Sequence, residues 1–189
     1  MIRIGVLGAI GSGKSYVAKQ FGYPVFNADE EVSKLYRKSR KCYNKLKKKL
    51  PKYIISFPVK KKNISTAIIG GQHNLKKIIK IIHPEVRLQM NNFVKRNKNK
   101  KLVILDIPLL MENKLNKKND ILIFVDAKRK EINKRLKKRR SVSVKILKKF
   151  QLPVELKKKK AHFIIKNNFR SNSIKKNAKI VLRKILLNA

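Results

Sequence analysis

The chain has 189 residues, a hydrophobic fraction of 42% and a formal net charge of +41, from 51 Lys+Arg against 10 Asp+Glu. The apolar content excludes a globally disordered protein, and the single cysteine, Cys42, excludes an internal disulfide and a thiolate metal cluster. No run of residues is apolar over the length of a membrane span, and the N-terminus has the pattern of a strand rather than of a signal peptide. We therefore expect one α/β domain that works in the cytoplasm, with no membrane partner.

The first predicted elements are a strand, a glycine-rich loop and a helix. Residues 2–7 form an apolar, β-branched run, residues 16–21 open a helix, and "GAIGSGKS" between them satisfies the phosphate-binding signature G-x-x-x-x-G-K-[ST]. Glycines let backbone N–H groups surround an oxyanion, Lys14 can reach the β- and γ-phosphates, and the Ser15 hydroxyl can ligate magnesium. A glycine turn that precedes Lys-Ser by chance is the alternative, but the flanking strand and helix favour a phosphate site. The residues expected to bind nucleotide here are Gly8, Ala9, Ile10, Gly11, Ser12, Gly13, Lys14, Ser15 and Tyr16.

The next segments predict a second strand followed by a helical region. A short strand over residues 23–29 ends at Asp29, and residues 30–50 read as one polar helix that Pro51 stops. Residues 51–72 show no regular pattern and are expected to be irregular. The amphipathic stretch over residues 74–95 predicts one or two helices around Pro84.

The second half of the chain alternates strands with helices. Residues 102–105 are continuously apolar, as a parallel strand buried on both faces requires. Further strands are predicted at 120–127 and 162–167, and helices at 128–139, 153–160 and 173–188, the last with Ile174, Ala178, Val181, Leu182 and Ile185 on one face. This alternation predicts a doubly wound, mostly parallel sheet of five strands.

Ligands of such sheets bind beyond the carboxyl ends of the strands, which would bring the glycine-rich loop, Asp29 and Asp106 to one edge. Ser15 and Asp106 can supply oxygen ligands to magnesium. Asp29 can accept the proton of a hydroxyl that attacks a phosphoryl group. Arginines over the phosphates would stabilise the transition state; the candidates are Arg135, Arg139 and Arg140. The alternatives are that Asp29 caps a helix, that Asp106 is a turn residue and that each arginine is merely solvated.

The high charge has two explanations. Lysines occur in nearly every segment, aromatic residues make up only 7% of the chain, and Lys, Ile and Asn are all abundant. This favours compositional drift in an A+T-rich genome over a selected nucleic-acid surface. We expect no specific nucleic-acid partner, although the charge permits non-specific RNA binding.

The motifs resemble those of the dephospho-CoA kinase family over almost the whole chain. "IGVLGAIGSGKS" is similar to the family's opening loop, "VFNAD" to its Asp-Ala-Asp element and "HPEVR" to its His-Pro segment. "LDIPLLME" matches its characteristic Asp-x-Pro-Leu-Leu-x-Glu, which is far more specific than a phosphate loop alone. "RLKKR" resembles the start of the family's lid, and "QLP" and "AHFIIKN" resemble its closing elements.

The resemblance implies a fold and a reaction. The fold is a P-loop NTPase of three α/β/α layers in a single domain, with a core at 1–29, 100–135 and 153–189, an acceptor-binding helical region at about 30–95 and a lid at about 136–152. The reaction is the phosphorylation of the ribose 3′-hydroxyl of dephospho-CoA by ATP with Mg²⁺, the last step of coenzyme A synthesis. We expect a monomer whose partners are these two substrates.

The resemblance also implies roles for individual residues. Asp29 is the expected base, with Lys14 and Arg139 assisting catalysis. Further nucleotide contacts fall on Arg135, Arg139 and Asn167. The expected acceptor-binding residues are Asp29, His83, Arg87, Asp106 and Leu109. Magnesium is assigned to Ser15 and, through water, to Asp106.

Several positions depart from the family pattern. Ala9 stands for the loop's second glycine, Asn27 for the first aspartate of Asp-Ala-Asp, and His162 for the aspartate of Ala-Asp. Leu147 stands where the family usually has an arginine, and Ser65 or Thr66 falls where another arginine is usual. Two alternative functions remain: another small-molecule P-loop kinase, such as a nucleotide kinase, and a basic nucleic-acid-binding protein with a vestigial nucleotide loop. The Asp-x-Pro-Leu-Leu-x-Glu element argues against the former. The retention of Lys14, Ser15, Asp29 and Asp106 argues against the latter.

Overall fold

The computed structural model describes residues 1–139 and 150–188. The chain forms two compact units, one made of Met1–Asn27 and Arg96–Ala189 and the other of Ala28–Lys95. None of the described helices is both long enough and apolar enough to cross a membrane.

The first unit is built on a parallel sheet. Its strands are β1 (Ile2–Gly8), β2 (Val25–Asn27), β3 (Leu102–Asp106), β4 (Ile121–Asp126) and β5 (Phe163–Lys166). They lie in the order β2-β3-β1-β4-β5, and every pairing is parallel. The predicted doubly wound, five-stranded α/β sheet is therefore confirmed, although β2 ends at Asn27 and not at Asp29.

Some helices belong to the first unit with these strands, and the others form the second unit. In chain order they are α1 (Lys14–Lys19), α2 (Ala28–Lys38), α3 (Arg40–Lys49), α4 (Lys61–Ile69), α5 (Gln72–Arg96), α6 (Arg129–Arg139), α7 (Val154–Lys159) and α8 (Ser171–Leu187). The apolar face predicted for the last helix is confirmed: four of its residues are buried and Leu182 is partly buried. With Val17 and Ala18 of α1, this face packs on the apolar side chains of β1, β3 and β4.

The prediction of a single helix over residues 30–50 is wrong, because this segment forms two helices that are separated at Ser39. Helix α2 ends at Lys38, and the Ser39 hydroxyl accepts a 3.1 Å hydrogen bond from the backbone N–H of Cys42. Serine competes well as an N-cap because its side chain satisfies an N–H that the new helix leaves unpaired. The local cap therefore starts α3 as a separate helix.

The irregular segment predicted over residues 51–72 is also wrong in part, since it contains α4. Ile64 and Ala67 are buried, and the side-chain amide of Asn74 donates a 2.9 Å hydrogen bond to the Ala67 carbonyl. These tertiary contacts stabilise a short helix whose sequence alone has little amphipathic pattern.

The stretch around Pro84 forms one continuous helix, α5. Pro84 lies on its exposed side, while Ile78, Ile82, Val86 and Met90 lie along its buried side. A proline inside a helix removes one backbone hydrogen bond, but burial of this apolar row compensates for the loss.

Candidate active site

The glycine loop, residues 8–15, follows β1 directly. Gly13 has φ 88° and is the N-cap of α1, and a Cβ at this position would collide with the side-chain amide of Asn167. A residue with a side chain would meet both a strained backbone and a steric clash here. The second glycine of the signature is thus required by the fold of the loop.

Ala9 replaces a glycine of the family's loop without backbone strain. Among the described residues, the positive φ angles outside glycine belong to Leu109, Lys114 and Phe169. Ala9 therefore keeps an ordinary backbone conformation that alanine adopts readily. The loop therefore accommodates alanine at this position.

Lys14 and Ser15 begin α1 beside this loop. The Lys14 ammonium group donates hydrogen bonds to the carbonyls of Gly8 (3.2 Å) and Ala9 (3.0 Å), so the side chain curves back along the loop. Ser15 is exposed in the first turn. The next residue, Tyr16, is tied to α8 by a 2.7 Å hydrogen bond between its hydroxyl and that of Ser171.

Asp106 is the last residue of β3, which lies next to β1. Its side chain is nearly buried, and its register partner on β2, Asn27, donates a 3.0 Å hydrogen bond to Oδ2. The chain leaves β1 toward β2 on one side, whereas β4 lies on the other side of β1. This reversal opens a crevice at the carboxyl ends of β1 and β3, where such sheets bind ligands. The fold thus brings Asp106 and the glycine loop to neighbouring strand ends.

The segment after β3 carries the characteristic Asp-x-Pro-Leu-Leu-x-Glu motif. Leu109 has φ 61°, a left-handed conformation that is costly for a residue with a side chain. Glu112 accepts hydrogen bonds from the backbone N–H of Leu152 (3.0 Å) and from Lys157 (3.2 Å). The motif's glutamate therefore ties this segment to the start of α7.

Helix α6 carries two of the three predicted arginines, Arg135 and Arg139. The Arg135 guanidinium lies over the ring of Phe169, 4.6 Å from its centroid, and a Cβ on Gly11 would lie 3.1 Å from Leu136. Arg139 is the last residue of this helix. Arg140, and most of the lid predicted over residues 136–152, lie outside the described residues. The described part of α6 thus borders the glycine loop.

Asn167 lies beneath the glycine loop with both polar ends of its side chain engaged. Its Nδ2 donates a 2.7 Å hydrogen bond to the Ser12 carbonyl, and its Oδ1 accepts a 2.7 Å bond from the backbone N–H of Phe169. Only 4% of the residue is exposed. Sequence reasoning had missed Phe169, because a single aromatic residue just beyond the motif gives no periodic signal.

His162 takes the place of the family's aspartate just before β5. Its Nδ1 accepts a 2.9 Å hydrogen bond from the Leu122 backbone N–H, and the backbone N–H of His162 donates a 2.8 Å bond to the Leu122 carbonyl. An imidazole nitrogen can replace a carboxylate oxygen as an acceptor. This departure keeps the connection between β4 and β5.

Three predicted residues belong to the second unit. Asp29 lies in the first turn of α2, two residues after β2 ends, and His83 and Arg87 are one helical turn apart on α5. Partial desolvation and, to a smaller extent, the positive charge of Arg87 lower the pKa of His83 below its ordinary value. His83 is therefore neutral near pH 7, whereas Arg87 stays cationic.

Comparisons with known proteins agree on one family. The sequence profile of the dephospho-CoA kinase family matches residues 2–173. A dephospho-CoA kinase from Bartonella henselae is 34% identical over 193 residues, which cover 98% of each chain. A solved structure from Thermus thermophilus shares 30% identity and a TM-score of 0.75 over 97% of each chain. A dephospho-CoA kinase structure from Campylobacter jejuni shares the fold, with a TM-score of 0.66, 20% identity and coverage of 97% of this chain and 96% of that one.

Proposed function

The chain belongs to the dephospho-CoA kinase family and phosphorylates the ribose 3′-hydroxyl of dephospho-CoA with ATP, and we propose that the glycine loop, β3 and α2 supply the groups for this step. One observation carries the assignment of groups: the glycine loop and the buried Asp106 carboxylate end neighbouring parallel strands. An anion-binding backbone beside a carboxylate suits a magnesium-bound polyphosphate. Of the two alternative functions, neither a nucleotide kinase nor a nucleic-acid-binding protein is favoured by the family match.

The glycine loop is the proposed triphosphate site. Its backbone N–H groups would surround the phosphates, and the Lys14 ammonium would exchange the Gly8 and Ala9 carbonyls for β- and γ-phosphate oxygens. The phosphate oxygens carry negative charge whereas the carbonyls are neutral, so this exchange pairs the ammonium with an opposite charge. Arg135 and Arg139 are the proposed partners of the charge that spreads over the transferring phosphoryl group.

Magnesium is proposed to bind between Ser15 and Asp106. A hydroxyl and a carboxylate are hard oxygen donors, as Mg²⁺ requires, and α1 packs against β3 so that the two donors come from adjacent elements. No group of three or more His, Cys, Asp or Glu that could hold a metal is found among residues 1–139 and 150–188. An ion here would accordingly keep water and phosphate oxygens as its remaining ligands. When bound, it neutralises charge on the β- and γ-phosphate oxygens.

Asp29 is the proposed general base. As the ribose O3′ forms its bond to the γ-phosphorus, the bond from that phosphorus to the β–γ bridging oxygen breaks and ADP leaves. The proton of the 3′-hydroxyl passes to the Asp29 carboxylate. Support comes from the matching family motif and from the position of Asp29 just after β2.

The acceptor is proposed to bind through His83, Arg87, Asp106 and Leu109. Arg87 offers a permanent cation, which suits the pyrophosphate of dephospho-CoA, and the neutral imidazole of His83 offers a hydrogen bond without a charge. Region boundaries also remain part of the proposal: an acceptor-binding region at about 30–95 and a lid at about 136–152. We also propose that the protein acts as a monomer in the cytoplasm. Light scattering after size-exclusion chromatography would test the oligomeric state.

A coupled assay of ADP release tests the reaction. Dephospho-CoA, nucleoside monophosphates and RNA would be offered separately, each with ATP and Mg²⁺. Of the three candidates, we expect only dephospho-CoA to support the release of ADP. Turnover with a nucleoside monophosphate but not with dephospho-CoA would replace the proposal by the nucleotide-kinase alternative. Tight RNA binding without turnover would favour the nucleic-acid-binding alternative.

A further inference from the structure

Asn167 is a buried polar residue whose side chain contacts the glycine loop. The amide nitrogen bonds the Ser12 carbonyl and the amide oxygen bonds the Phe169 N–H, both at 2.7 Å. Only 4% of the residue is exposed, and protein groups hold its side chain at both polar ends. These bonds allow Asn167 to act on nucleotide binding through the residues that it holds.

Phe169 is the second residue of this arrangement. Its backbone adopts φ 61°, which costs a non-glycine residue free energy unless its surroundings hold it there. The bond from its N–H to Asn167 provides that hold. Its ring lies under the Arg135 guanidinium, 4.6 Å from the centroid, and its Cε1 lies 3.5 Å from where a Cβ of Gly13 would stand.

These contacts connect two elements that the sequence separates widely. Asn167 holds the carbonyl of Ser12 in the glycine loop and, through Phe169, supports Arg135 on α6. The hydrogen bonds set direction as well as distance, and a cation over an aromatic face has a preferred geometry. Asn167 and Phe169 together are hereafter the Asn167–Phe169 clamp.

We propose that the Asn167–Phe169 clamp is a positioning unit for ATP, which holds the glycine loop and Arg135 in one relative arrangement. This rests on the proposed triphosphate site in the glycine loop. Loss of the clamp lets the Ser12–Gly13 peptide and Arg135 move independently, so ATP binding has to order them. The effect falls on ATP and ADP, not on the acceptor.

The test compares two neighbouring asparagines. In Asn167→Asp the carboxylate still accepts the Phe169 N–H but cannot donate to the Ser12 carbonyl, which then faces an anion. Asn168→Asp is the matched control, because Asn168 makes the same kind of bond, 3.0 Å to the Arg170 N–H, on the exposed surface. Phe169→Leu removes the aromatic face under Arg135 and keeps an apolar side chain.

The readouts are the ADP dissociation constant by calorimetry, the KM for ATP, the KM for dephospho-CoA and the melting temperature. For Asn167→Asp we expect the ADP dissociation constant and the KM for ATP to rise about ten- to hundredfold. The variant loses a buried hydrogen bond, and its carboxylate repels the Ser12 carbonyl oxygen. For Phe169→Leu we expect a rise of about threefold. In both variants the KM for dephospho-CoA should stay within about twofold of the wild-type value. In Asn168→Asp the ADP dissociation constant and the KM for ATP should also stay within about twofold.

Two results would overturn the proposal. A lower melting temperature with an unchanged ADP dissociation constant would make the clamp merely structural, and equal losses in Asn167→Asp and Asn168→Asp would make the effect one of added charge. If Asn167→Asp does not fold, Phe169→Leu decides by the same readouts. ADP binding is measured without acceptor, so a failure of the dephospho-CoA reaction itself would appear separately, in the wild type.

Discussion

Asn27 and Asp106 are register partners on β2 and β3, and the Asn27 amide donates a 3.0 Å hydrogen bond to the Asp106 carboxylate. The family usually has an aspartate at the position of Asn27. Two carboxylates at this distance would repel each other, whereas the amide is a neutral donor that orients Asp106. This departure from the family pattern therefore preserves the placement of the carboxylate that we assign to magnesium.

Restoring the aspartate should destabilise the protein. For Asn27→Asp we expect a loss of about 1–3 kcal/mol in the free energy of unfolding near neutral pH, because a hydrogen bond is replaced by like charges. Urea unfolding at about pH 8 and about pH 4.5 measures it, and the loss should shrink at the lower pH, where one carboxylate is protonated. Added Mg²⁺ should also reduce it. Equal losses at both pH values, with or without Mg²⁺, would contradict the proposed role of Asp106.

Lys14→Ala should abolish turnover and weaken ATP binding about ten- to hundredfold, because the phosphates lose their main side-chain cation. Calorimetric titration with ATP and the ADP-release assay measure the two effects. Lys19→Ala is the control, since Lys19 is exposed in the last turn of the same helix. Near-normal activity in Lys14→Ala would remove the basis for the phosphate-loop assignment.

Asp29→Asn should leave ATP affinity nearly unchanged and reduce kcat by roughly 10²–10⁴, since the amide keeps the shape but cannot accept the proton. Glu31→Gln is the control: Glu31 lies in the same first turn and forms a 2.6 Å pair with Lys34. Loss of folding or of ATP binding in Asp29→Asn would point to a structural cap. Full kcat would mean that another group is the base.

The pKa of His83 is lowered by partial desolvation and by Arg87, so it titrates below its ordinary value of about 6.5. The unfolded chain then binds more protons than the folded one between the two pKa values. The contribution of His83 to stability is therefore full above about pH 6.5 and is lost as pH falls through the folded pKa. Arg87→Leu should raise the pKa of His83, which an NMR titration of its ring protons would record; an unchanged pKa would show that desolvation alone lowers it.

The buried pair of Lys157 and Glu112 offers a comparison with its neighbour. Lys157 lies 3.2 Å from Glu112 with side chains 3% and 9% exposed, whereas Lys158 lies 3.2 Å from Asp126 with side chains 37% and 35% exposed. Lys157→Met should lower the free energy of unfolding by about 3–5 kcal/mol, because Glu112 is left as an uncompensated buried charge. Lys158→Met should cost less than about 1 kcal/mol.

A double variant separates lost charge pairing from lost packing. Glu112→Gln combined with Lys157→Met leaves a neutral acceptor for the Leu152 N–H and should recover part of the loss in chemical denaturation. If the double variant is less stable than Lys157→Met alone, the glutamate charge itself is stabilising and the burial argument is wrong.

Local features of the sequence were enough to predict much of this molecule. The alternation of apolar runs with helical stretches predicted the five parallel strands, and the glycine spacing predicted the loop after β1. Prediction did less well in the second unit, where the Ser39 cap divides a helix and tertiary burial of Ile64 and Ala67 supports α4. There the helical pattern was too short or too weak for the sequence alone to decide.

The sequence by itself determined the phosphate loop, the sheet and the family, because each depends on residue types at short, fixed spacings. Only the tertiary structure decided which of the many lysines pairs with Glu112, how Asn27 serves Asp106, and that Asn167 and Phe169 connect the glycine loop to Arg135. These partners lie up to 155 residues apart, as Asn167 and Ser12 do. Such contacts depend on how strands and helices pack once they have formed, and the spacing of residues along the chain does not predict that packing.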